Sequence, residues 1–99
     1  MPAEQFTAKL QAYSAFLSQA ADIRTALRTR QGGSAHWSEL ADQLAKAALR
    51  AELLLPDDAL PLVADALRRS RPQDSDAADL FWETVVLVQH AMRADLRTS

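Results

Sequence analysis

The segment 80–92, which reads LFWETVVLVQHAM, limits the possible folds of this 99-residue chain more than any other segment. Apolar side chains occupy nine of its thirteen positions, and on a helical wheel they surround the axis instead of forming one stripe. The run is too short to cross a bilayer, which needs about 20 residues. We therefore predict a core helix that is covered on two sides, either within the chain or by a second chain.

Length and composition indicate a single globular domain, residues 1–99. The chain is 48% hydrophobic and 24% charged, which is typical of folded proteins and unlike disordered ones. A net charge of -2 provides no general attraction to nucleic acid or to anionic lipid. Binding to either would require a local basic patch.

Three breaks divide the sequence into four predicted helices, spanning about 2–30, 37–54, 59–69 and 76–97. The breaks are Gly32 with Gly33, Pro56 with the two aspartates after it, and the segment 71–74. The β-branched stretch 85–88 would suit a strand, but no second strand exists to pair with it. The sequence predicts an all-α fold, either a four-helix bundle or stacked helical hairpins, with a long first helix and a short third one.

The first helix carries a predicted packing line whose only polar member is Arg24. The line, with spacings of four and three, is Phe6, Leu10, Tyr13, Leu17, Ala20, Arg24 and Leu27. Phe16 and Ile23 widen it on one side. Arg24 has three possible roles: it extends to solvent, pairs with a carboxylate that fixes helix register, or binds an anion inside the bundle.

The third helix contains Pro61, which would break an established helix. With Asp58 as the N-cap, Pro61 becomes the third helical residue, where no backbone hydrogen bond is lost. The second helix presents Leu49 and Leu53 on a face separate from the one formed by Leu40 and Leu44, so it is predicted to have two neighbours.

The fourth helix divides into two apolar surfaces. One is a predicted core arc, and the other is a patch at Trp82 and Val86 that faces elsewhere. Because interfaces are enriched in tryptophan, one interpretation is a partner surface formed by Trp82, Val86, Leu49 and Leu53. The alternative is that helices of the same chain cover both sides of the fourth helix, so that Trp82 and Val86 belong to the core. The predicted core arc comprises Leu80, Phe81, Val85, Leu87, Val88, Ala91 and Met92.

One basic cluster, Arg68, Arg69 and Arg71, could contact nucleic-acid phosphates. However, basic residues lie in the predicted last helical turns and acidic residues near the predicted starts, so interaction with the helix dipoles explains the pattern without a ligand. The alternative function that this cluster suggests is a small DNA-binding transcriptional regulator. We expect no nucleic-acid partner.

No residues suggest catalysis or metal binding. Cysteine is absent, and His36 and His90 are far apart in the sequence. The sequence contains neither a nucleophile motif nor a phosphate-binding glycine loop. We therefore expect no catalytic residues, cofactor or metal, and no enzyme activity. A third alternative is a small helical-bundle enzyme or anion binder organised around Arg24.

The leading prediction is a non-catalytic helical protein–protein interaction module: an adaptor, chaperone-like protein or regulatory subunit that self-associates as a homodimer. The N-terminal residues lack the features of a signal peptide and no segment could span a membrane, so we expect a cytoplasmic protein without a membrane partner. Abundant alanine, and arginine in excess over lysine, would follow from a GC-rich bacterial genome.

Overall fold

A computed structural model describes residues 2–29, 34–70 and 76–98, and within these ranges the fold is all-α. Helix α1 spans Ala3–Thr29 and α2 spans Ser34–Glu52. A short 3-10 turn, Asp57–Ala59, leads into α3, Leu60–Arg68, and α4 spans Ala77–Thr98. The predicted fold class, with a long first helix and a short third one, is confirmed.

The helices form a four-helix bundle of about 43 × 21 × 18 Å. Helix α1 packs against α2 and α4, and α3 packs against the same two helices. Helices α1 and α4 are antiparallel, because Lys9 near the start of α1 contacts Asp95 near the end of α4, whereas Arg24 contacts Trp82. Since α1 and α3 each pack against both α2 and α4, the helices α2 and α4 lie at diagonally opposite corners of the bundle.

The start of α3 differs from the prediction in one detail. Ala59 is the N-cap residue, without a side-chain capping bond, and the 3-10 turn before it includes Asp58. Asp58 as the N-cap is therefore wrong, because this turn supplies the first backbone bonds. Pro61 does lie in the first turn of α3, where its missing N–H breaks no helical hydrogen bond.

The core line of α1 is rotated from the predicted one. Phe6 and Leu10 are 41% and 46% exposed, whereas Phe16 and Ile23 are buried. The buried residues repeat the spacings of four and three: Lys9, Tyr13, Phe16, Ala20, Ile23 and Leu27. The prediction differs from the observed line because it followed the apolar residues Phe6 and Leu10 at the start of the helix. The buried line begins there with Lys9.

The core arc of α4 also needs correction. Phe81, Val85, Val88 and Met92 are buried as predicted. Two predicted members are exposed, Leu80 at 39% and Leu87 at 53%, and Ala91 is half-buried. Thr84 is buried in the same helix, which is possible because its hydroxyl donates a hydrogen bond to the Leu80 carbonyl over 3.2 Å.

Candidate functional site

A polar cluster lies in the core where the start of α1 meets the ends of α2 and α4. The Lys9 Nζ is 2.8 Å from the Asp95 Oδ2, and the side chains of this ion pair are only 9% and 12% exposed. The Tyr13 Oη lies 2.7 Å from the same carboxylate oxygen and 3.2 Å from the Leu54 carbonyl oxygen. These contacts connect the three longest helices.

The cluster keeps the phenol of Tyr13 protonated. Burial raises the pKa of Tyr13 above its ordinary value, and the hydrogen bond to Asp95 and the negative charge of that carboxylate raise it further. Because the lysine and the phenol of α1 both bond to the same carboxylate of α4, the arrangement is suited to fixing helix register. The sequence interpretation missed it, since Lys9 was not considered and Tyr13 was placed on an apolar line.

Arg24 stacks on an aromatic ring. Its guanidinium carbon lies 4.5 Å from the ring centroid of Trp82, a cation–π contact between α1 and α4. The Nε atom is buried and makes no hydrogen bond within the described part of the chain. Lys9 and Asp95 form an ion pair between these two helices, and Arg24 lies at the edge of the α1 core line, partly exposed.

The four predicted interface residues lie on α4 and at the C-terminal end of α2. Trp82 and Val86 are half-buried on α4, whereas Leu49 is 60% exposed on α2 and Leu53, in the turn just beyond α2, is 78% exposed. Leu49 lies opposite the buried side of α2, which includes Leu44. Because α2 and α4 occupy diagonal corners, the structure presents two separate surfaces instead of one.

The outward side of α4 contains a shallow depression of about 660 Å³. We call this feature the α4 depression. Among the described residues it is lined by Asp79, Trp82, Glu83, Val86 and Leu87. An apolar floor is therefore bordered by two carboxylates. Further along the same helix, His90, Arg93 and Arg97 are exposed.

The basic cluster is described only in part. Arg68 forms an ion pair with Asp65 one helical turn away, Arg69 is exposed, and Arg71 lies outside the described residues. The Asp65 carboxylate offsets the charge of Arg68 on this surface.

The described ranges contain no group of three or more side chains that could hold a metal ion. His36 instead packs edge-to-face against Trp37, with ring centroids 6.3 Å apart. None of the described helices combines the length and hydropathy needed to cross a membrane.

No family model, curated protein or solved structure matches this chain.

Proposed function

We propose that this chain is a non-catalytic, self-associating helical interaction module whose contact surface is the outward side of α4. The observation that carries the proposal is the α4 depression, in which Trp82, Val86 and the 53% exposed Leu87 form an apolar patch beside Asp79 and Glu83. A helix side that meets only water is ordinarily polar. An aromatic and aliphatic centre with a charged rim is the usual composition of a protein interface.

Burial of this patch would contribute useful binding energy. Removing apolar surface from water gains about 25 cal/mol per Å². A leucine that is half exposed still has a large apolar surface that a partner can bury. Trp82 is held in place by Arg24, so less side-chain entropy is lost when it is covered. The surface is therefore already organised before it binds.

The buried polar cluster supports a non-catalytic role. A catalytic group must reach a substrate, whereas Lys9 and Tyr13 both bond to Asp95 inside the bundle. The proposal places the module in the cytoplasm, because a sequence without cysteine suits a reducing compartment.

The test substitutes one exposed leucine and a matched control. In sedimentation velocity the unaltered chain is expected to associate, and Leu87→Asp is expected to be a folded monomer because a carboxylate would be desolvated in the contact. Leu53→Asp, just beyond the end of the diagonally opposite helix α2, makes the same change at a 78% exposed position and is expected to leave association intact. Equal association of both variants would contradict the proposal, as would an unaltered chain that never associates.

A further inference from the structure

The outward side of α4 carries six residues on one line with spacings of four, three, four, three and four. This repeat keeps side chains on one side of a helix. Five of the six are exposed and Val86 is half-buried. We call this line the outer stripe: Asp79, Glu83, Val86, His90, Arg93 and Arg97.

The charges of the outer stripe are separated along the helix. Both carboxylates lie in the N-terminal half of α4 and both arginines in the C-terminal half. The helix dipole favours this order in the first and last turns, which hold Asp79 and Arg97. Glu83 and Arg93 lie beyond those turns, where the dipole effect has faded, so their placement requires another explanation.

We infer that the partner of the α4 surface is a second copy of this chain, with the two α4 helices antiparallel about a two-fold axis at the level of residue 88. This inference rests on the proposed function and specifies its geometry. Reversing the outer stripe about residue 88 places Asp79 opposite Arg97 of the other copy, and Glu83 opposite Arg93. Val86 falls opposite His90. By symmetry each pair occurs twice.

Two apolar residues, Val86 and Leu87, lie next to the axis, with His90 of the other copy opposite Val86. Trp82 lies about 9 Å from the axis along the helix, beside Glu83 in the α4 depression. The ion pairs lie towards the ends of a contact about 27 Å long, at 1.5 Å per residue. An apolar centre with charges at its rim avoids desolvating the charges completely.

The reverse orientation is disfavoured by charge. In a parallel pair, Glu83 would face Glu83 of the other copy and Arg93 would face Arg93. Like charges opposed across a contact destabilise it. Complementarity therefore selects both a second copy of the chain and its antiparallel orientation.

The experiment reverses the inner charges one at a time. With Glu83→Arg, the new arginine faces Arg93 of the other copy at both ends of the contact. With Arg93→Glu, the new glutamate faces Glu83 of the other copy at both ends. Each single variant is expected to raise the dimer dissociation constant at least about tenfold at low salt. An equimolar mixture of the two is expected to restore association, because the chain with two arginines then faces the chain with two glutamates. The double variant Glu83→Arg/Arg93→Glu is also expected to dimerise.

A charge reversal on the diagonal helix, Lys46→Glu, is the control and is expected to leave the dissociation constant unchanged. If the unaltered chain dimerises but the single variants dimerise equally well, or mixing fails to restore association, the antiparallel geometry is wrong while the proposed function stands. If the unaltered chain remains monomeric at every concentration, the proposed self-association fails as well. Helical circular dichroism of each variant distinguishes lost association from lost folding.

Discussion

Tyr13 connects three helices through a single oxygen atom. Its hydroxyl lies within hydrogen-bonding distance of Asp95 on α4 and of the carbonyl of Leu54, just beyond the end of α2. It is the only tyrosine of the chain, so spectroscopic signals from tyrosine report this position alone. Because burial and Asp95 raise its pKa, the folded state retains the phenolic proton more strongly than the unfolded state does.

We expect stability to fall as pH rises above the ordinary tyrosine pKa of about 10. Below that pH the phenol is protonated in both the folded and the unfolded state, and the contribution of Tyr13 to the free energy of unfolding is fully present. Above it the unfolded state binds fewer protons, so the free energy of unfolding decreases by up to about 1.4 kcal/mol per pH unit. Ultraviolet absorbance should show tyrosinate forming together with loss of helical circular dichroism. If the Tyr13 phenol titrates near the ordinary tyrosine pKa while the chain stays folded, the account is contradicted.

The Lys9–Asp95 pair is expected to be far more important to stability than the pair on α3. Lys9→Met leaves a largely buried carboxylate without its cation and is expected to cost about 3 kcal/mol in urea unfolding. Replacing both charges, with Lys9→Met and Asp95→Leu, is expected to recover part of that loss. Arg68→Met breaks a pair whose side chains are 77% and 37% exposed, so less than about 1 kcal/mol is expected. If Lys9→Met and Arg68→Met lower the free energy of unfolding by similar amounts, a stabilising role for the buried pair is excluded.

The sequence predicted part of this region and missed its polar centre. Tyr13, Ala20 and Leu27 belong to both the predicted and the observed core lines of α1. Two neighbouring lines share the same spacing, and periodicity alone does not identify which one faces two other helices. The line through Lys9 is buried because Asp95 neutralises the lysine, a pairing between residues at opposite ends of the chain.

Helix α4 combines a core side and an outward apolar side in one element. Phe81 and Val88 fill the core, while Leu87 is exposed beside Val86. The sequence indicated that α4 needed cover on two sides, but it placed Leu80 and Leu87 in the core. Thr84 is buried instead, since a threonine in a helix can satisfy its hydroxyl on the preceding turn.

Orientation of the paired α4 helices can be measured by disulfide formation, because the chain has no native cysteine. With the axis at residue 88, Leu87→Cys lies about 3 Å along the helix from its copy, whereas Glu83→Cys lies about 15 Å from its copy. A disulfide requires Cα atoms within about 7 Å. Mild oxidation is expected to link Leu87→Cys more readily than Glu83→Cys, because the axial offset of Glu83→Cys alone exceeds this limit. Efficient linkage of both variants would indicate a parallel pair.

At the scale of the whole molecule, four helical segments and three breaks were enough to predict an all-α fold with a long first helix and a short third one. The choice between a bundle and stacked hairpins depended on which helices touch, and the sequence did not contain that information in any local pattern. The same limit affected the predicted interface: Leu49 and Trp82 both appeared to lie on second apolar faces, yet they belong to diagonally opposite helices.

The central claim is that the outward side of α4, with its apolar patch at Trp82, Val86 and Leu87, is covered by a second copy of the chain. The most direct test is the solution mass of the unaltered protein, measured by light scattering over a wide concentration series. We expect a mass of twice the 10.9 kDa chain at high concentration, falling towards the single-chain value on dilution. A mass of 10.9 kDa at every concentration would contradict the account.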